Sequence, residues 1–353
     1  MRIPFFNIEF TKEMKEAAIN SLQNEKFVLG ESVFKFEEEF ARYIDTKYAV
    51  SVNSGNSALH LSLLSLGINL NHKVITSTNS FIASSNCILM CGAKPILCDI
   101  FENDGSMDIS TCTENFDAII PVHIYGNPCD YDSIAAISKE KKIPIIEDAA
   151  QAHGATFGNK KIGSLGTVGC FSFYTTKNMT VGGDGGMITT DNEEIAEKIQ
   201  SLRDNGRTKD RNKHDKLGFT MRLNTINAAI GRTQLRHLDE NNAKRREICN
   251  LYRKYLINDC ILPENANGKS VFHQIVLKST SRDEIIQHLT HNEIGTSIHY
   301  PIPIHKQPLY SNFDFKLPKS EKFCTEILSL PSYPTLKKDE VRYVCEKLNE
   351  VLS

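Results

Sequence analysis

Apolar residues recur every three or four positions in FTKEMKEAAINSLQ, ESVFKFEEEFARYI and NSALHLSLLSLG, a spacing that predicts helices. Short apolar runs come after them: HKVITST, AKPILCDI, FDAIIPVHIYG, KKIPIIEDAA and TVGCFSFYT. They are rich in Ile and Val and apolar on both alternating faces, as expected of strands covered on both sides. Between two of them, DYDSIAAISKEKK reads as a crossover helix. Alternation of this kind predicts an α/β fold with a large, mostly parallel sheet.

The pattern changes after about Gly231. A long, charged, amphipathic helix is expected from roughly Asn224 to Leu256, followed by a strand in VFHQIVLKS. A helix opened by Ser281, with Glu284 at capping-box spacing, comes next. A strand in TSIHYPI and helices in KSEKFCTEILS and KKDEVRYVCEKLNEVL complete the chain. This reads as a smaller C-terminal α+β domain, with residues 1–235 in the large domain and 236–353 in the small one.

Composition narrows the function. The chain has 353 residues, 40% hydrophobic and 24% charged, with a formal net charge of −2. A nucleic-acid binder usually carries a basic surplus, so no nucleic-acid partner is expected. There is no apolar run long enough to span a membrane and no apolar secretion signal near the N-terminus, so a cytoplasmic location is expected. The ten cysteines lack CxxC or zinc-finger spacing. They read as reduced, mostly buried thiols, and no metal site is expected.

Three short stretches carry chemistry. In IIEDAAQAHGA an apolar strand ends in Glu147 and Asp148, at the sheet edge where ligands of open α/β folds gather. Asp148 could instead simply cap a helix. In SVNSGNSALHLSL, small residues Gly55, Asn56 and Ser57 open a helix, leaving backbone amides for an anion; an ordinary cap would look the same. In FSFYTTKNMTVGGDGG, Lys177 follows an apolar strand and enters a glycine-rich turn. Most lysines are solvated, but one carried into a cleft has a lowered pKa and attacks carbonyls. A phosphate cup, an acid and a carbonyl-reactive lysine are the parts that pyridoxal 5′-phosphate (PLP) requires.

The ordered series SGNSALHL, SFIAS, PVHIYGNP, EDAAQAHGA, FSFYTTKN, LRDNGR, NAAIGRTQL, HYPIPIH and ILSLPSYP resembles the DegT/DnrJ/EryC1/StrS family over essentially the whole chain. These are PLP-dependent aminotransferases of nucleotide-linked keto sugars. The resemblance implies the fold-type-I (aspartate aminotransferase-like) architecture and a homodimer with shared active sites. It implies that Lys177 is the catalytic residue, linked covalently to the cofactor and moving protons. It also implies that Asp148 pairs with the pyridine nitrogen, Gln151 meets the ring's phenolic oxygen and Phe81 stacks on the ring. Backbone amides of Gly55, Asn56 and Ser57, with the Ser172 hydroxyl, would hold the phosphate. Arg222 would reach the phosphate of the partner subunit's cofactor. Tyr125, His153, His299 and His305 fall in segments that the family places near sugar or cofactor.

This chain departs from the family pattern at Asn56, where threonine is usual, and at Thr220, where asparagine is usual. Retention of the lysine favours transamination over the family's sugar dehydratase branch. The activity implied is amination of an NDP-4-keto- or 3-keto-6-deoxyhexose, with a slight lean to C4 of a dTDP sugar and glutamate as donor. A cyclitol aminotransferase, a sugar dehydratase or a non-enzymatic PLP-binding regulator are the alternatives.

Overall fold

The computed structural model describes residues 1–210, 212–258 and 260–352. The chain starts with α1 (Lys12–Asn24) and α2 (Glu31–Ile44). Thr11 Oγ1 accepts the Met14 amide, so α1 begins where the sequence supplies a hydroxyl cap. α2 buries Val33, Phe36, Phe40 and Ile44, spaced three or four residues apart. Next come β1 (Tyr48–Val52), α3 (Gly55–Ser65), β2 (Lys73–Ser77), α4 (Ala83–Met90), β3 (Lys94–Cys98), β4 (Ala118–Ile120), α5 (Tyr131–Lys141) and β5 (Ile146–Asp148). Two short strands, β6 (Thr156–Phe157) and β7 (Lys160–Lys161), precede β8 (Val168–Ser172), β9 (Gly186–Thr190) and α6 (Glu193–Leu202).

The main sheet runs β3-β2-β4, then β5-β8-β9-β1. Parallel bridges from Ile119 to Ile145 and from Val122 to Asp148 join the two runs. Every pairing is parallel except those of β9, which is antiparallel to both β8 and β1. Residues alternate between faces. Val168 and Cys170 of β8 pack with α3 and α6 on one side. Phe171 turns to the other side, where Phe40 of α2 sits 4.9 Å from its ring and 5.6 Å from that of Phe173. Aromatic pairs of this kind contribute about 0.5–1.5 kcal/mol each beyond area burial.

The remaining elements are α7 (Thr225–Tyr255), β10 (Gly268–Lys269), β11 (Ile275–Lys278), α8 (Arg282–His291), α9 (Pro318–Glu326), β12 (Ile327–Leu330) and α10 (Lys338–Leu352). A separate apolar cluster joins the end of α7, β11, α8, β12 and α10, and it includes Ile3 from the N-terminus. The Ile3 amide donates to Glu293 O at 3.0 Å and Ile3 O accepts the Gly295 amide at 2.8 Å, so the N-terminal segment is tied to this C-terminal layer.

Several local expectations change. TSIHYPI is no strand: its one ladder contact is a bridge from Ser297 to Ser329, and Pro301 and Pro303 deny the backbone further donors. VFHQIVLKS starts its strand only at Ile275, because Phe272 takes a positive φ of 43°. ILS leaves the expected helix to form β12 against β11. Ser281 precedes α8 without a side-chain cap, so the expected capping box does not form. Strand β9 and helices α4 and α6 add to the elements expected from the hydrophobic pattern.

Candidate active site

The carboxyl ends of β5 and β8 bring Asp148 and Ser172 to one edge, on the face covered by α3. Glu147 points the opposite way. Its carboxylate accepts the amides of Gly163, Leu165 and Gly166 at 2.7–2.9 Å and lies 3.3 Å from His123 Nε2. The Cys129 amide donates to His123 Nδ1, which leaves the ring proton on Nε2, facing Glu147. The acidic pair thus divides: Glu147 anchors a loop, and only Asp148 faces the site.

Asp148 is 5% exposed. Ser84 Oγ donates to its Oδ2 at 2.7 Å, and the Ala150 amide donates to Oδ1 at 3.2 Å. Burial pushes the carboxyl pKa up, while these two donors and Lys177 hold it back. Ser80 Oγ lies 2.7 Å from Ser84 Oγ and extends the chain of hydroxyls.

Lys177 lies in the turn after β8, where its amide donates to Tyr174 O at 2.9 Å. The turn is closed at its base by the Phe173 amide on Gly185 O at 2.8 Å. The residue keeps partial exposure, yet protein around the amine lowers its pKa from 10.5 to about 8. Burial is the main cause, and the charge of Asp148 opposes it. A side chain in this state carries a useful fraction of neutral amine near neutral pH.

The start of α3 faces β8. Ser54 caps the helix by accepting the Ser57 amide at 3.1 Å, so Ser57 N–H is already engaged and the amides of Gly55 and Asn56 are the open ones. A Cβ on Gly55 would lie 2.7 Å from Ser172 Cβ. The backbone of Gly55 and the Ser172 side chain therefore form one cradle that only glycine permits. Asn56 Nδ2 points to Met90 Sδ at 3.5 Å and its buried Oδ1 has no partner. This donor set fits PLP: two open amides and a hydroxyl for a phosphate, a deep carboxylate for a protonated ring nitrogen, and a lysine for an aldehyde.

The structure draws most other expected residues around this centre. Gln151 Oε1 accepts the Tyr125 amide at 2.6 Å, and its Nε2 donates to Tyr300 Oη at 3.1 Å. Tyr125 Oη donates to His299 O at 2.7 Å. His299 Nδ1 is 3.0 Å from Ser329 Oγ, its ring stacks on Phe5 at 5.6 Å, and burial lowers its pKa to about 4. Phe81 stands 56% exposed, 6.0 Å from the Tyr300 ring, open to a ligand.

Three expected residues are engaged elsewhere. His153 is fully buried against Phe171 and Phe173, where burial and Lys177 lower its pKa to about 3, so it presents no open face to a substrate. His305 is held between Thr78 Oγ1 at 2.7 Å and Glu321 Oε1 at 3.1 Å. Arg222 donates to Asp204 Oδ1 at 2.7 Å within its own chain.

A cavity of about 620 Å³ opens beside Lys177. Its walls include Phe5, Lys177, Arg245, His273, His299 and Tyr333. Asp148 and Gly55 are not among its walls, so Lys177 stands between the cup and this space. Ser84, Arg245, His273 and Tyr300 join the site without having been singled out by motif or spacing. For Arg245 a signal exists: it falls on the buried stripe of α7 with Leu238, Asn242, Ile248 and Tyr252.

An open sheet with a lysine in the turn beyond a parallel strand, facing a carboxylate and a helix start, defines a PLP-dependent aminotransferase of fold type I. The chain belongs to the DegT/DnrJ/EryC1/StrS aminotransferase family, which it matches over residues 9–349. It is 38% identical to the dTDP-3-amino-3,6-dideoxy-alpha-D-galactopyranose transaminase of Aneurinibacillus thermoaerophilus, over 98% of this chain and 99% of that one. It is 36% identical to a pleiotropic regulatory protein of Geobacillus stearothermophilus, over 99% and 98%. The crystal structure of Streptomyces venezuelae DesV in complex with a ketimine intermediate superposes with a TM-score of 0.95 at 34% identity, covering 99% of this chain and 98% of that one.

Proposed function

We propose that this aminotransferase moves an amino group from L-glutamate to a ring ketone of a nucleotide-linked 6-deoxyhexose. The observation that carries the reading is Lys177: a lysine whose amine burial depresses, in the field of a single buried carboxylate, beside a glycine-built anion cup. PLP, when bound, supplies the aldehyde and the electron-withdrawing ring. Lys177 holds the cofactor and moves the proton between substrate carbon and amine. Asp148, oriented by Ser84 and Ala150, keeps the ring nitrogen protonated. The amides of Gly55 and Asn56 and the Ser172 hydroxyl bind the phosphate, with Ser57 N–H joining if its bond to Ser54 opens. Gln151 orients the phenolic oxygen and Phe81 covers the ring.

Tyr125 and His299 face the sugar side, while His153 and His305 act from behind it. The chain works as a homodimer. In support, Ile19, Leu22, Phe27 and Phe34 of the N-terminal region are 50–70% exposed, an apolar surface that a second copy would cover. In such a dimer Arg222 must exchange Asp204 for the partner's phosphate. The first reading is C4 amination of a dTDP sugar, a slight lean that rests on overall resemblance to the family. The Aneurinibacillus relative, named for a 3-amino sugar, supports C3 as the second reading.

Purified protein should show the visible absorbance of bound cofactor, and Lys177→Ala should lack both that band and turnover. Incubation with L-glutamate and a set of dTDP-, UDP- and GDP-linked keto sugars, followed by NMR of the product, reads the aminated carbon. A colourless protein, as expected of a PLP-free sensor, or failure to aminate every keto sugar, would overturn the proposal.

A further inference from the structure

The cavity beside Lys177 is lined by a buried cation that has no counter-ion among the described residues. Arg245, on α7, is 7% exposed. Its Nη1 donates to the carbonyl of Ser332 and lies 3.5 Å from Ser332 Oγ. Its Nε is buried without a hydrogen-bond partner, and Nη2 makes no hydrogen bond among the described residues. An unpaired buried guanidinium costs free energy that a fold does not normally retain without a use.

Among the described residues no carboxylate pairs with it; of the acids on the cavity wall, Glu9 is exposed to solvent. Glu13, at the cavity mouth, is held by Arg236 and His237, and Glu240 by Lys244. His273 lines the same cavity as Lys177 and Arg245. Its Nδ1 donates to Asn178 Oδ1 at 3.1 Å, an orientation fixed because Asn178 Nδ2 already donates to Asn242 and Val271. Burial and these cations lower the His273 pKa far below its ordinary value, so it stays neutral; burial likewise lowers that of Arg245, to about 10.

We propose that the free Nε–Nη2 edge of Arg245 is the subsite for a carboxylate of the amino donor. The inference rests on the aminotransferase reading and adds to it where the donor sits. A guanidinium edge presents two parallel N–H donors, the geometry of a carboxylate. An amino acid's α-carboxylate is two bonds from the nitrogen that must reach Lys177, so its binding group must share the inner cavity with that lysine, as Arg245 does. The diphosphate of a nucleotide sugar is separated from its ketone by much of the sugar ring and belongs nearer the mouth.

The probe is glutarate, an unreactive dicarboxylate, titrated onto the holoenzyme and read by the cofactor's absorbance. Arg245→Gln is expected to weaken glutarate binding and raise the KM for L-glutamate by about 10- to 100-fold, with the KM for the keto sugar changed less than about threefold. Arg245→Lys should fall between. Unchanged glutarate binding, or equal losses for donor and sugar, overturns the assignment. Should the glutamine variant fail to fold, phenylglyoxal labelling of the wild type with peptide mapping decides: glutarate should protect Arg245. Protection by dTDP but not by glutarate, or by neither, overturns it. The glutarate titration and the phenylglyoxal labelling need no sugar turnover. A holoenzyme that binds glutarate through Arg245 yet aminates no keto sugar would refute the substrate reading and leave the subsite standing.

Discussion

A lysine kept partly neutral for chemistry should cost the fold stability, and that cost can be measured. In the cofactor-free chain the Lys177 amine has a pKa of about 8 against 10.5 when unperturbed. Each pH unit is worth about 1.4 kcal/mol, so holding the charged amine in place at pH 7 costs on the order of 3 kcal/mol. That figure already contains the attraction of Asp148. The sign follows from linkage. The folded pKa lies below the unfolded one, so between pH 8 and 10.5 the unfolded chain binds more protons and stability rises with pH. Below pH 8 the full cost is present. Lys177→Met removes the charge at similar volume. We predict that the cofactor-free methionine variant is more stable than wild type by about 2–3 kcal/mol at pH 7. The gap should close as pH approaches 10.5. Denaturant unfolding of both cofactor-free proteins across this range is the assay. A variant no more stable than wild type at pH 7, or a gap that ignores pH, would refute the account of the amine.

Other substitutions separate chemistry from packing. Asp148→Asn keeps an acceptor for the Ala150 amide and turns an Nδ2–H donor towards the Ser84 hydroxyl, which can accept it, so thermal stability should largely hold while kcat falls by about 10²-fold or more; near-normal turnover would return Asp148 to a capping role. Gly55→Ala favours the helix by roughly 1 kcal/mol on propensity alone, yet its Cβ would meet Ser172 at 2.7 Å. Cofactor retention measured by dialysis should drop about tenfold, each tenfold being about 1.4 kcal/mol, and unaltered retention would show that the cradle is not the phosphate site. Phe171→Ala, in the fully buried cluster with Phe40 and His153, should cost about 3–5 kcal/mol in chemical denaturation, and a loss below 1 kcal/mol would contradict that packing.

The parts legible in the sequence are those where composition and position agree. Parallel strands buried on both faces read as continuous Ile- and Val-rich runs, so β2, β3 and β5 can be located. Asp148, Gly55 and Lys177 each look ordinary alone; their order along the chain makes them a set. The misses have physical reasons. GGMITT reads as part of a glycine-rich turn, although it forms β9, because a long turn separates it from β8 and its other partner, β1, is distant in sequence. ILS continues a helical pattern and becomes β12 only because β11 lies open to pair with it. Arg245 hides among the charges of α7, and only its spacing from Leu238, Asn242, Ile248 and Tyr252 marks it as turned inward. The separation of Glu147 from Asp148 comes from strand alternation and is readable.

The antiparallel strand β9 also governs when the molecule can come into being. Gly186 pairs with Val52 and with Ser172, so the strands that lead into the Gly55 turn and the Lys177 turn touch only through it. A ribosome makes about 5–20 residues per second, so β1 waits for several seconds with its neighbouring edge unpaired until β9 has been synthesised and has emerged. An N-terminal fragment that stops before Gly186 holds Ser54, Asp148 and Lys177, yet has no strand to hold β1 beside β8. Nascent chains of that length therefore expose an unpaired strand edge beside a half-assembled cofactor site.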